Sequence, residues 1–363
     1  MKLLVALPAV FCVDWGIAMF NRALLLALQD VAEASVLSLN DATPQCDPRY
    51  AAPPAIRFRG FERRKTSFSL AFLRQALARP DLVILGHVNL LPLATPLWAR
   101  SIPYWLIAHG DEAWVRLPAL SRRALARAQT VLTVSDFTRQ RLAAVNGVRG
   151  NHWQIFPNTL DPFFEPVGGE PAHGLTLLSV SRLEAAERAN KGILHVLEAL
   201  PELRRRFPKL RYVVVGDGDD RAWLEQRTRE LGVAESVVFT GFLSREDLSR
   251  QYAACDVFVL PSDQEGFGIV YLEAMAHHKP VVASRAGGAP EVVTDGETGL
   301  LIEHGNQAAL VTALSTLLAS PERRQQLGAA GFARLQQHYT FEHFRARLHG
   351  LLAQFSSSSD TKR

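Results

Sequence analysis

Glu265-Gly266-Phe267-Gly268-Ile269-Val270-Tyr271-Leu272-Glu273 is the stretch on which the reading of this chain turns. Two carboxylates stand eight positions apart, glycines follow the first, and the second falls in a segment of helical character. The run Val257-Phe258-Val259-Leu260-Pro261 that leads in has the unbroken hydrophobicity of a strand buried on both faces. The order is therefore strand, glycine-rich turn, helix. Such a turn brings backbone N–H groups and the positive end of a helix against an anion, which suits phosphate. Carboxylates beside it accept from hydroxyl groups. Phosphate and polyol together point to a sugar nucleotide.

Working outward, apolar strand-like runs alternate with helical segments. Lys2–Leu7, Ala34–Leu39, Leu82–Leu85, Tyr104–Ala108 and Thr130–Val134 read as strands in the first half. Leu175–Val180, Tyr212–Val215, Val237–Phe239, Val257–Leu260 and Val281–Ala283 do so in the second. Charged or amphipathic stretches such as Arg221–Leu231 and Glu246–Ala254 lie between them. This alternation predicts an α/β protein with two parallel sheets covered by helices on both faces. The Pro- and Gly-rich segment Pro157–Gly174 reads as the linker. The chain's 363 residues suit two medium domains.

The segment Glu265–Glu273 resembles the E-x7-E signature of retaining GT-B glycosyltransferases, specifically glycosyltransferase family 4. Ala286-Gly287-Gly288-Ala289-Pro290-Glu291-Val292-Val293 and Asp295-Gly296-Glu297-Thr298-Gly299-Leu300-Leu301 resemble that family's next two segments, in order. The likeness is densest from Leu177 to Glu303 and thinner before Asn158. It implies a GT-B fold: two doubly wound, Rossmann-like domains facing across a cleft. The expected boundaries are 1–165 for an acceptor-side domain and 172–338 for a nucleotide-sugar donor domain. A last helix over 342–355 is expected to cross back onto the first domain, with 356–363 a disordered tail.

Arg182 closes an apolar strand, and Lys191 opens the helix that follows. Two cations at one strand end neutralise a diphosphate leaving group without a metal. The resemblance places the donor diphosphate on these two positions; the intervening Glu184 and Glu187 can pair with the cations when the site is empty, and two surface cations are the alternative. It assigns the sugar ring to Glu265, the ribose diol to Glu273, and the donor phosphate to the turn Gly266, Phe267, Gly268 and Ile269. Gly216 lies in the Gly-x-Gly turn that follows Val213–Val215, where the family brings the nucleotide close to backbone. Arg221 occupies the third glycine position of a dinucleotide fingerprint there. Asp217-x-Asp219 formally matches a metal-binding D-x-D, but a tight turn capped by Asp217 is the reading taken, and no metal is expected. Leu243, in Phe239-Thr240-Gly241-Phe242-Leu243, is the candidate for the nucleobase, and the segment does not disclose which base. His109 ends the strand Trp105–Ala108. The resemblance sets it near the transferred sugar, while His87 suits acceptor contact and a core role equally. Gly16 starts the first helix and is the survivor of the family's two glycines, because Trp15 replaces the other. Thr159 likewise replaces the glycine of the family's Pro-Asn-Gly-Val-Asp landmark.

The net charge of +4 divides into +6 over residues 1–165 and −2 over the remainder. Arg57, Arg59, Arg63, Arg64 and Lys65, interleaved with Phe58, Phe61, Phe68 and Phe72, read as a basic and apolar helix, which suits an anionic membrane surface. A solvated face over ordinary core aromatics is the equal alternative. Nucleic acid is a poor fit, because no recognition module accompanies the charge. Cys12, Cys46 and Cys255 are scattered and read as reduced thiols of a cytosolic protein. The uncharged run Leu3–Val13 lacks a small-residue cleavage site and reads as a first strand. Leu82–Ala99 splits into strand, turn and helix rather than a membrane span.

Taken together, these features predict a metal-independent glycosyltransferase. It would move a hexose from a UDP- or GDP-sugar to a saccharide or lipid-linked acceptor in cell-envelope polysaccharide or lipopolysaccharide synthesis. Its expected place is the cytoplasm, peripheral on the inner membrane face. The competing class is a non-catalytic nucleotide-sugar or partner-binding protein on the same fold. Glycoside hydrolysis by the carboxylate pair leaves the phosphate-binding apparatus without a purpose.

Overall fold

Strands made of Val, Ile and Leu without polar interruption need helices on both faces, and both halves of the chain are built that way. A computed structural model describes residues 1–13, 16–150, 152–168 and 174–360. The chain forms two units, Met1–Phe163 with Tyr339–Arg363, and Phe164–His338.

The first unit holds a parallel sheet of β1 (Lys2–Leu7), β2 (Glu33–Ser38), β3 (Ile56–Gly60), β4 (Leu82–Leu85), β5 (Tyr104–Ala108), β6 (Thr130–Thr133) and β7 (Trp153–Ile155), in the order β3-β2-β1-β4-β5-β6-β7. The helix Phe341–Asp360 belongs to this unit. Its buried stripe Phe344, Leu348, Leu352 and Phe355 follows helical spacing. Phe344 meets Phe20 and Phe156 edge-on at 5.2 and 4.7 Å between ring centres. Of the expected tail, residues 356–360 continue this helix, and residues 361–363 lie outside the described residues.

The second unit holds β8 (Thr176–Val180), β9 (Arg211–Val215), β10 (Val237–Gly241), β11 (Val257–Leu260), β12 (Val281–Ser284) and β13 (Gly299–Ile302), also all parallel, in the order β10-β9-β8-β11-β12-β13. In both sheets the strand order reverses direction beside the first strand, between β1 and β4 and between β8 and β11. Doubly wound sheets bind ligands at that switch point, beyond the carboxyl ends of the strands.

The basic cluster does not share one helix. Arg57 and Arg59 project from β3, an edge strand, and only Lys65 opens the helix Lys65–Leu77. Phe61, Phe68 and Phe72 are core residues, 3, 2 and 0% exposed. What that helix exposes instead is Leu70, Leu73 and Leu77. Leu82–Ala99 resolves into β4, a 3-10 segment and a short helix. Among the described residues no helix is long and apolar enough to cross a membrane.

Candidate active site

The switch point of the second unit lies between the ends of β8 and β11. Arg182 stands two residues past β8, and Glu265 stands in the turn after β11. The guanidinium of Arg182 lies 2.8 Å from Glu187 Oε1 and 3.5 Å from Glu184 Oε1. Lys191 Nζ lies 3.9 Å from Glu187 Oε2 and 3.8 Å from Glu265 Oε2. The result is a run of alternating charge, Arg182–Glu187–Lys191–Glu265. Lys191 and Glu265 are about one-fifth exposed and Arg182 rather more. These ion pairs hold the two cations, Arg182 and Lys191, at fixed positions beyond the end of β8.

Backbone packing puts Lys191 there. Gly192 has φ +75°, and a Cβ on it would lie 2.5 Å from Pro261 O. Only glycine lets the two loops touch at that point. The Asp263 N–H donates to Asn190 O at 2.7 Å. His304 adds a clasp, its ring nitrogens 2.9 and 3.1 Å from the carbonyl oxygens of Pro261 and Ala189.

The Glu265 turn is braced from behind. The Gly288 N–H donates to Glu265 O at 2.7 Å, and a side chain at Gly288 would collide with Gly266 O. Phe267 and Ile269 anchor the turn in the core, and Gly268 caps the helix Ile269–Ala276. Glu273 lies one turn inside, 7% exposed, and its Oε2 accepts from the hydroxyl of Tyr252 at 2.8 Å.

Gly216 and Leu243 follow β9 and β10 on the same sheet edge. The Gly216 N–H donates to Gly241 O at 3.0 Å. Asp217 Oδ1 accepts from the Gly218 N–H at 2.9 Å, and Asp219 Oδ1 accepts from the Ala185 N–H at 2.8 Å. These carboxylates tie turns together. Among the described residues no three His, Cys, Asp or Glu side chains converge as a metal site.

In the first unit His109 follows β5. Its Nε2 lies 3.0 Å from Gly86 O. A carbonyl only accepts, so Nε2 carries the proton and donates, and Nδ1 keeps its lone pair. Burial, with His87 nearby, lowers the His109 pKa to about 3. Burial lowers His87 to about 4 against a small opposing pull from Asp111. The His109 N–H donates to Glu112 Oε1 at 2.8 Å, and burial pushes the Glu112 carboxyl up. His109 is thus neutral at physiological pH, a hydrogen-bonding group rather than an acid. Gly16 begins the helix Gly16–Leu28. Trp15 lies outside the described residues. After β1, the segment Val10–Cys12 is held by the buried Asp41, whose carboxylate accepts the N–H groups of Val10, Phe11 and Cys12 at 2.7, 2.7 and 2.6 Å.

The sequence profile "Glycosyl transferases group 1" matches residues 163–334, and the profile "Glycosyltransferase Family 4" matches residues 16–163. A GDP-mannose-dependent alpha-(1-6)-phosphatidylinositol monomannoside mannosyltransferase of Mycolicibacterium smegmatis is 36% identical over 74% of each chain. The chain belongs to the glycosyl transferases of group 1, family 4. A sulfoquinovosyl transferase of Arabidopsis thaliana is 41% identical to this family 4 chain over 68% of it and 47% of the plant protein. The crystal structure of Anabaena HepE in complex with UDP superposes with a TM-score of 0.80, at 20% identity, over 98% of this chain and all of that one. The fold is GT-B, and the chain is a glycosyltransferase.

Of the positions singled out in this family 4 chain, the structure brings Arg182, Lys191 and Glu265 into one ion-paired group. Glu273 sits behind them in the helix, Gly216 and Leu243 farther along the sheet edge, and His109 and Gly16 in the other unit. Asp41, Tyr252 and His304 escaped the sequence reading. Each acts on a partner distant in sequence, so no local spacing announced it.

Proposed function

We propose that this chain transfers a hexose from a UDP- or GDP-sugar to a saccharide or lipid-linked acceptor of the cell envelope, with retention at the anomeric carbon. The observation that carries this reading is the Arg182–Glu187–Lys191–Glu265 group beside the glycine turn. It gathers two cations, a helix start and a carboxylate at the switch point of one sheet. Arg182 and Lys191 would oppose charge on the departing diphosphate as the C1–O bond breaks, which is where stabilisation accelerates transfer. The acceptor oxygen bonds to C1 from the same face, and its proton passes to the leaving phosphate oxygen. No protein base is required by that route. Glu265 takes sugar hydroxyls and Glu273 the ribose diol. His109, neutral with Nδ1 as an acceptor, suits a sugar hydroxyl rather than a phosphate.

The mannosyltransferase relative takes GDP-mannose and HepE was crystallised with UDP, which supports a nucleotide-diphosphate donor and leaves both bases in play. A phosphatidylinositol mannoside acceptor in that relative supports a lipid-linked one here. So do Leu70, Leu73 and Leu77, which share one exposed face of the helix Lys65–Leu77, near Arg63, Arg64 and Arg74. This face suits the anionic inner surface of the cytoplasmic membrane. Failure to co-sediment with anionic vesicles at low salt contradicts the membrane part.

The central test is Lys191→Ala. Turnover is expected to fall by roughly two orders of magnitude or more, with the melting temperature unchanged. Turnover near that of the wild type refutes the reading. Thermal shifts with UDP, GDP and ADP identify the base, since a ligand at a hundred times its Kd adds about 2.7 kcal/mol.

A further inference from the structure

Glu273 is held from the neighbouring helix Arg245–Ala254 by a one-way chain of hydrogen bonds. Ser249 Oγ accepts the Val167 N–H at 2.8 Å, and it lies 2.8 Å from His277 Nε2. His277 Nδ1 lies 2.8 Å from the carbonyl of Glu273. A carbonyl only accepts, so Nδ1 carries the imidazole proton and Nε2 accepts from the Ser249 hydroxyl. The His277 ring is thereby fixed in tautomer and plane. It stacks on the ring of Tyr252, 5.4 Å between centres at 18°. Tyr252 is fully buried, with Phe258 on its other contacts at 5.5 Å, and its hydroxyl is 2.8 Å from Glu273 Oε2. The same hydroxyl lies 3.4 Å from the Val270 carbonyl, so the much shorter contact, to the charged Glu273 carboxylate, is the one it favours.

We propose that Tyr252, backed by the His277–Ser249 pair, is the positioning residue for Glu273, fixing its carboxylate in the orientation that accepts the ribose diol of the donor nucleotide. The proposal rests on the assignment of Glu273 to the ribose. A carboxylate offers about four acceptor positions, so the bond from Tyr252 orients the group without exhausting it. Preorganisation of this kind removes the cost of ordering the side chain when the nucleotide arrives. The chain of bonds also begins at Val167, so the segment that enters the second unit is tied to the helix carrying Glu273.

Calorimetric titration of the full chain with UDP and GDP, and with their 2′,3′-dideoxy forms, tests this. Tyr252→Phe is expected to weaken whichever ribonucleotide the wild type binds by roughly tenfold, and to leave the dideoxy form unchanged. Donor KM rises with kcat little altered, and the substitution adds nothing in a Glu273→Gln background. Ser249→Ala acts in the same direction, more weakly, and guards against misfolding of the tyrosine variant. Equal weakening of ribo and dideoxy forms assigns Tyr252 a merely structural part and overturns the proposal, as does no weakening. If Glu273→Gln leaves ribonucleotide affinity intact, the ribose assignment fails first and the positioning role with it. If the wild type binds neither UDP nor GDP, the donor reading itself is overturned.

Discussion

Acid should loosen the first unit through two histidines. His87 and His109 have pKa values of about 4 and about 3 in the folded chain, against 6.5 ordinarily, because burial disfavours the cation. Between those values and 6.5 the unfolded chain binds protons that the folded chain does not. Stability therefore falls as pH falls. The contribution is nearly complete at pH 7 and drains away below pH 6.5. From pH 7 to pH 5 the unfolded histidine becomes protonated over about one and a half pH units, so each residue subtracts about 2 kcal/mol. Five of the six tryptophans, Trp15, Trp98, Trp105, Trp114 and Trp153, lie in this unit. Urea unfolding followed by tryptophan fluorescence thus reports mainly on it. His109→Gln keeps a donor for Gly86 O but no longer titrates. The variant should be less stable at pH 7, yet lose about 2 kcal/mol less than the wild type on going to pH 5. Parallel stability curves for the two proteins across that range refute the argument, because then His109 takes up its proton at the same pH in the folded as in the unfolded chain.

Gly192→Ala forces an L side chain into left-handed backbone and against Pro261 O. It should cost roughly 1–3 kcal/mol and, by displacing Lys191, depress turnover; denaturation and activity both like the wild type speak against the loop packing described. Ser135→Ala removes the buried cap that accepts the Thr138 N–H at 3.1 Å at the start of the helix Asp136–Asn146. A loss of about 1 kcal/mol is expected in urea. Phe344→Ala empties the contact between the last helix and Phe20 and Phe156. Its expected cost is about 3–5 kcal/mol, and a melting temperature within a degree of the wild type would show that this helix is not docked there.

The sequence disclosed most where chemistry and hydrophobic pattern coincide. Arg182, His109 and Glu265 each follow an apolar strand closely, so a reader who finds β8, β5 and β11 finds them. The strands that escaped notice lack that contrast. In β3, Ile-Arg-Phe-Arg-Gly carries charge because it is an edge, where charged side chains block further pairing. In β7, three residues suffice against β6 alone. In β13, Gly-Leu-Leu-Ile overlaps the end of the motif Asp295–Leu301, and its register on Val281–Ser284 reveals the strand. Without β3 the basic cluster reads as helical, although the helix begins eight residues after Arg57. The supports of the site were hidden for another reason. Tyr252 reaches Glu273 across 21 positions, Asp41 reaches Phe11 across 30, and His304 reaches Pro261 across 43. Spacing reports on neighbours along a helix or strand, whereas these contacts exist only once strand order is set. Strand order is a property of the whole sheet. Motif residues are therefore readable one at a time, but the groups that hold them at working geometry become visible only when the sheets are assembled.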